Sequence, residues 1–188
     1  MTESKSQSQI PNANRTSQDP LDLLDGGLKI LCYPNPTLKK KSTPVEIFDQ
    51  ELADFVRRLF TAMRINKGVG LAAPQVGVLK RIAVIEHEGK SYTLINPKII
   101  ERKGLQESEE GCLSFPGFYA DVRRAEKIKV ETRTLKGDTE ILEVDGYIAK
   151  AFQHEIDHLD GKLFIDYLSP LKRSMIRKKI SKHPGGNS

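Results

Sequence analysis

The sequence predicts an α+β fold: antiparallel β-sheets around a central metal-binding helix, with one further helix towards each end of the chain. Three observations predict it. An early stretch repeats apolar residues at three- and four-residue steps. Several short apolar or alternating runs follow, separated by tight turns, as in hairpins rather than in crossover units. Late in the chain, His154-Glu155-Ile156-Asp157-His158 reads H-E-x-x-H inside a second helical pattern.

The chain has 188 residues, 38% hydrophobic and 29% charged, which suits one globular domain with tails. We divide it into an extension at 1–27, a catalytic domain at 28–170 and a basic C-terminal helix or tail at 171–188. The extension is rich in Ser, Gln, Asn and Pro and is expected to be disordered, with a short docking contact from Leu21, Leu23 and Leu24. It holds no apolar stretch of signal-peptide length. Its two bases (Lys5, Arg15) against four acids (Glu3, Asp19, Asp22, Asp25) argue against a transit peptide. No run approaches the ~20 apolar residues of a membrane span. A cytoplasmic protein is therefore expected, with Cys32 and Cys112 free or metal-bound rather than bridged. The net charge of +5 is uneven: Lys172, Arg173, Arg177, Lys178, Lys179 and Lys182 follow Leu171 with no acid. That segment suits a polyanion such as RNA, or else a solvated terminal helix.

In chain order, Leu28–Tyr33 is expected as a strand with Cys32 as a small core residue. Pro34, Pro36 and Pro44 keep the next segment extended. Leu52, Phe55, Val56, Leu59, Phe60 and Met63 form one stripe of a helix from about Gln50 to Lys67, capped by Asp49 and stopped by Gly68. Arg81–Glu86 and Ser91–Asn96 read as a hairpin, with His87 a solvated turn residue. Pro97 ends the second strand, and Lys98–Glu101 forms another short one. Glu107–Gly117 reads as a polar loop. Lys127–Thr134 and Thr139–Val144 are strands joined through Leu135–Asp138. Asp145 and Gly146 open the histidine helix and Gly161 closes it. His183 lies in a frayed tail.

His154 and His158 are one helical turn apart, so both stand on one face and can grip one metal ion. Glu155 lies about 100° round from His154, beside the metal rather than on it, as a base acting on water requires. The alternative is a surface helix with two solvated histidines. Cys112 is the candidate third ligand, and one thiolate with two imidazoles leaves a tetrahedral position open, the pattern of a catalytic site. Such donors favour Fe(II), Zn(II), Co(II) or Ni(II) over Mg or Ca. In Gly68–Gln75, small residues allow close backbone approach. Gln75 is either an oxyanion donor or an ordinary surface amide. The segment lacks the lysine of a phosphate-binding loop.

Gly-x-Gly-x-Ala-Ala-x-Gln at 68–75, Glu-Gly-Cys-Leu-Ser at 110–114 and Gln-His-Glu-x-Asp-His at 153–158 occur in that order. Together with Tyr33-Pro34-Asn35-Pro36-x-Leu38 and Tyr167-Leu168-Ser169-Pro170-Leu171, the chain resembles peptide deformylase from about residue 28 to 175. The resemblance implies removal of the N-formyl group from formyl-methionyl nascent peptides, with release of formate. It implies that Cys112, His154 and His158 bind ferrous iron, replaceable by zinc, nickel or cobalt, and that metal-activated water is the nucleophile. Glu155 would be general base and then acid. The backbone N–H of Leu113 and the side chain of Gln75 would hold the oxyanion, and Gly70 would pair with the substrate main chain. For the methionine slot we expect Tyr147, Lys150 and Ala151, which share the His154 side of the helix, faced by Val69 and Gly70. Lys150 is unexpected there, and its stem is read as lining the rim with the ammonium in water. Asn66-Lys67 stand where acids are expected more often in the family. In this family a C-terminal helix can contact the ribosome, which would suit the basic segment; no DNA or membrane partner is implied.

Two rival readings are a zinc peptidase and a metal-stapled RNA-binding domain. The peptidase would take its third ligand downstream of the motif, where His183 is the one candidate. The binding domain would need a fourth ligand from Cys32 or His87.

Overall fold

The computed structural model describes residues 27–182. In chain order it contains α1 (Gln50–Ile65), β1 (Gly70–Ala72), β2 (Ile82–His87), β3 (Lys90–Lys103), β4 (Gln106–Gly111), β5 (Tyr119–Arg124), β6 (Lys127–Arg133), β7 (Thr139–Asp145), α2 (Gly146–Leu159) and α3 (Pro170–Lys182). Short 3-10 turns lie at Pro36–Lys39, Ala73–Val76 and Phe164–Tyr167. A five-stranded sheet has the order β1-β2-β3-β6-β7, and β4-β5 form a second sheet. All these pairings are antiparallel, so the expected α+β class holds.

Helix α1 forms where its apolar stripe predicts. The Asp49 carboxylate accepts the Leu52 N–H at 3.0 Å, and Leu52, Val56, Leu59, Ala62 and Met63 are buried. Its end differs from expectation. The Gly68 N–H returns to the Met63 carbonyl at 2.9 Å, but the left-handed residue of that closure is Lys67, with φ +56°.

Strand β2 shows why an unbroken apolar run need not alternate. Ile82 and Val84 join the cluster under α1, with Leu52, Val56 and Leu59. Ala83 and Ile85 join the cluster under α2, with Ala149, Phe152 and Ile156. The sheet is covered by a helix on each face, so both faces of β2 are apolar. A third cluster, built on Leu38, Phe115, Val122 and Phe164, packs the small sheet against the following 3-10 turn.

Four expectations are corrected. Leu28–Tyr33 is not a strand but a strap, held by Leu31 N–H to the Gln75 carbonyl at 2.7 Å and Tyr33 N–H to the Ser114 carbonyl at 2.9 Å. Cys32 on that strap is exposed, not in the core. Pro97 does not end a strand: β3 runs through it, because the register with β6 shifts between Ile95 and Lys98. A proline at such a bulge removes no ladder donor. Asn96, at φ +52°, turns its amide onto both backbone groups of Val45 at 2.8 Å, and Thr132 Oγ1 serves both backbone groups of Ile95. Finally, the first half of the expected polar loop is strand β4, paired along its length with β5.

The His87–Lys90 hairpin forms as expected, with Glu88 and Gly89 both at positive φ, the pattern of a type I′ turn. His87 is more than a solvated turn residue, since its ring stacks on Tyr147 at 4.5 Å. Helix α2 follows Asp145 and ends at Asp160 before Gly161, which has φ +70°. A Cβ there would lie 2.5 Å from the Lys39 carbonyl, so glycine is required for both conformation and space. No helix among the described residues is long and apolar enough to cross a membrane. The expectations for residues 1–26 and for His183 fall outside the described residues.

Candidate active site

Helix α2 is pinned by a residue of its own motif. Gln153 accepts the Ala125 N–H at 3.0 Å and donates to the Ala125 and Ala149 carbonyls at 2.9 and 2.8 Å. The next residues, His154 and Glu155, and then His158, are buried. The ligand atoms of Cys112, His154 and His158 all lie within 4.8 Å of one another, and Cys112 Sγ is 3.3 Å from His158 Nε2. Metal–sulfur and metal–nitrogen bonds of ~2.3 and ~2.1 Å in a tetrahedron separate S and N by about 3.6 Å. The three donors therefore fit one metal ion.

Electrostatics supports the same fit. Burial, and secondarily the charge of His154, pushes His158 well below the usual imidazole value, so it stays a neutral donor. Burial opposes charge on His154 too, yet the acceptors on Cys112 and Glu110 and the Glu155 charge raise its pKa well above the usual value. The pocket thus favours positive charge between the thiol and the imidazole, where a cation would be held.

The ring of His154 is oriented from behind. Its Nδ1 donates to Glu110 Oε2 at 2.9 Å, turning Nε2 away towards the cluster. Arg124 of β5 grips Glu110 with two bonds, at 2.8 and 3.0 Å, and reaches Asp157 at 2.5 Å. Tyr167 donates to Asp157 at 3.0 Å, and the Arg124 guanidinium lies 4.5 Å from the Tyr167 ring centroid. Burial alone would raise the Glu110 pKa; the bonds and charges of His154 and Arg124 reverse this and hold it at about 2. Sequence reading quoted Glu110 and Asp157 inside motifs without a role and did not single out Arg124. The available signal was the unusual company of Glu110 beside Cys112.

Glu155 is 4% exposed, and its Oε2 has no protein partner among the described residues. Burial pushes its pKa up to about 7; the charges of His154 and Arg124 pull against this, and those of Glu110 and Asp157 add to it. A Cβ on Gly70 would lie 2.3 Å from Glu155 Oε1 and 2.9 Å from its Cγ. Gly70 is glycine because the Glu155 carboxyl occupies that space. Gln75 is no surface amide, being 2% exposed. Its Oε1 accepts the Ala72 N–H at 2.8 Å, which aims Nε2 at Ser114 Oγ (3.2 Å) and Cys112 Sγ (3.5 Å).

A cleft of about 640 Å³ opens above these groups. Val69, Gly70, Gln75, Cys112 and Leu113 line it, and so do Tyr147, Lys150, Ala151, His154 and Glu155. His158 lies beneath, 1% exposed. Every site residue expected from sequence is thus in or directly under one cleft. Lys150 departs in detail: its ammonium donates to the Glu109 carbonyl at 3.1 Å and sits 4.5 Å from the Tyr147 ring centroid. Cys32 and His87, the rival fourth ligands, are not in the donor cluster.

A sequence model of the family described as polypeptide deformylase matches residues 27–174. The chain belongs to the polypeptide deformylase family. A peptide deformylase of Alkalilimnicola ehrlichii is 46% identical over 159 residues, covering 82% of this chain and 89% of that protein. Peptide deformylase 2 of Xanthomonas campestris pv. campestris is 47% identical over 161 residues, covering 82% and 95%. Among solved structures, the peptide deformylase of Legionella pneumophila superposes with a TM-score of 0.79 at 44% identity, over 84% of this chain and 95% of that one. That of Thermus thermophilus gives 0.76 at 43%, over 81% and 92%. The deformylase family is metal-dependent, and Cys112, His154 and His158 form a group in this chain that could hold a metal ion.

Proposed function

We propose that this deformylase removes the N-formyl group from the N-terminal formyl-methionine of newly synthesised polypeptides, releasing formate, and that Cys112, His154 and His158 hold its metal. The observation that carries the reading is the convergence, in a deformylase-family chain, of three metal donors, a buried unpaired carboxyl and an aimed amide at the floor of one cleft.

The metal is Fe(II), which Zn(II), Ni(II) or Co(II) can replace because all accept thiolate and imidazole donors. When bound it supplies Lewis-acid activation of water and of the formyl carbonyl. The remaining steps belong to the chain. Glu155, held in a dry pocket with its pKa near neutrality, takes a proton from the attacking water. As the formyl carbon becomes tetrahedral, Gln75 Nε2 and the Leu113 backbone N–H meet the developing oxyanion. Glu155 then returns the proton to the leaving amine, and the C–N bond breaks to give formate and a free N-terminus. Val69, Gly70, Tyr147, Lys150 and Ala151 bind the methionyl end, with Gly70 offering its backbone to the substrate main chain.

The proposal also covers the setting. The catalytic unit is residues 28–170, the location is the cytoplasm, and the basic helix at the C-terminus faces ribosomal RNA. The deciding experiment is formate release from formyl-Met-Ala-Ser by anaerobically purified, iron-loaded protein, beside Glu155→Ala and a chelated sample. Release that disappears in both controls is the expected result. Folded, iron- or nickel-loaded protein that releases none would overturn the reading. Co-sedimentation with ribosomes, compared with a variant carrying glutamine at all six basic positions, tests the helix.

A further inference from the structure

The cleft walls carry two cations with no carboxylate partner among the described residues. Neither ammonium takes part in the proton transfers above, where Lys150 serves the methionyl slot by its stem alone. Lys67 lines one wall, and Lys150 the other, on α2. Lys67 is exposed, and it takes the left-handed conformation that closes α1, a position that glycine or asparagine fills at less cost. That conformation fixes where its side chain departs: three residues before Gly70, so within about 11 Å of the backbone beside Glu155. Lys150 is fixed more tightly. The Glu109 carbonyl takes one of its protons at 3.1 Å, and the Tyr147 face lies against the charge at 4.5 Å. Tyr147 is in turn backed by His87. An ammonium has three donors, so two remain for a ligand.

The other charges facing the cleft do not cancel these two. Glu110 is tied to Arg124 and His154, and Glu155 lies on the floor beside the metal donors. Glu109 is the remaining carboxylate on the rim. It opposes two lysines, so the mouth carries a net positive charge over the path of any peptide whose formyl end reaches Glu155.

We propose that Lys67 and Lys150 make this enzyme select formyl-methionyl peptides with an acidic residue in the first few positions after methionine. The proposal rests on the deformylase reading. An exposed ion pair gives up to about fivefold, and exchanging an acid for a base converts attraction into repulsion. We therefore expect kcat/KM for formyl-Met-Asp-Ser to exceed that for formyl-Met-Lys-Ser by about three- to tenfold at low salt. Screening should reduce the ratio towards one at ~0.5 M salt.

The test measures that ratio in the iron-loaded full chain, in Lys67→Gln, in Lys150→Gln and in the double charge reversal Lys67→Glu/Lys150→Glu. Each single substitution should lower the ratio, and the double reversal should bring it below one. Equal kcat/KM for the two peptides in the wild type would overturn the proposal, as would a ratio insensitive to all three variants. If Lys150 serves merely to clamp the Glu109 carbonyl, Lys150→Gln slows all peptides alike and leaves the ratio unchanged, which also counts against it. Formyl-Met-Ala-Ser separates the two failures. Its turnover without a charge preference removes this proposal alone, whereas no turnover of any formyl peptide removes the deformylase reading beneath it.

Discussion

Glu155 and Gly70 share one small volume, and each constrains the other. In Gly70→Ala the new methyl must displace the Glu155 carboxyl, because its Cβ would lie 2.3 Å from Oε1 and 2.8 Å from Cδ. We expect kcat to fall by at least tenfold, with the protein still folded by circular dichroism. Wild-type kcat in that variant would show that Glu155 can act from elsewhere. Gln75→Ala removes an aimed donor and should lower kcat by about 10²–10³ with a smaller effect on KM, as losing one oxyanion donor typically does. Steady-state formate kinetics distinguishes this from a loss of binding, which would raise KM at constant kcat.

The pairing of β4 with β5 matters because it delivers Glu110 and Arg124 to the back of α2. Arg124 is 4% exposed and faces two carboxylates. Arg124→Met should destabilise the fold by about 3–5 kcal/mol, since Glu110 and Asp157 would keep their burial and lose their counter-charge; urea midpoints measure it. Glu110→Gln should weaken metal binding by about 10–100-fold, read by competition with a chelator, because the acceptor that orients His154 loses its negative charge. The same network sets an alkaline limit. Burial first, and then the charge and hydrogen bond of Asp157, push the Tyr167 pKa up to about 12. The unfolded value is ~10. A raised folded pKa gives stability that is complete below the unfolded value and lost as pH climbs through the folded one. Wild-type stability should therefore fall between about pH 10 and 12, while Tyr167→Phe, less stable at pH 8, should fall less steeply. Parallel urea curves for the two proteins across that range would contradict the assignment.

At the scale of the whole molecule, the large sheet is covered by α1 and α2 on opposite faces, and the candidate donors Cys112, His154 and His158 sit on the α2 side by the small sheet. The buried residues of the three apolar clusters include none of Cys112, His154 and His158. Chelation should therefore abolish formate release while leaving the far-UV circular dichroism spectrum unchanged. The thermal midpoint should fall, because a ligand that binds the folded state alone stabilises it. Loss of secondary structure on chelation would instead make the metal a structural staple. Helix α3 has no buried residue, in keeping with its polar, basic sequence. Arg173 turns back onto the Asp166 and Leu168 carbonyls, while Lys172, Arg177 and Lys178 are exposed.

Local chemistry alone determined much of this. Two histidines one turn apart with a glutamate between them put two candidate donors and a candidate base on one helix, because 3.6 residues per turn fixes their faces. The resemblance to deformylases across three motifs supplied the third ligand and the reaction. The stripe of α1, the Glu88-Gly89 turn and the glycine after α2 were legible for the same reason: each depends on neighbours within four residues. Tertiary structure decided the rest. That Leu28–Tyr33 is a strap and Cys32 exposed follows from two hydrogen bonds to Gln75 and Ser114, far along the chain. That β3 continues through Pro97 follows from a bulge whose polar groups Thr132 satisfies from another strand. Polar residues at 106–111 form a strand because Arg124 and His154 occupy its buried carboxylate. Gln75 became a buried donor, and Glu155 a carboxyl near neutral pKa, because segments remote in sequence close over them and exclude water. Burial is a property of the assembled chain, and so are the pKa values and the aim of each side chain.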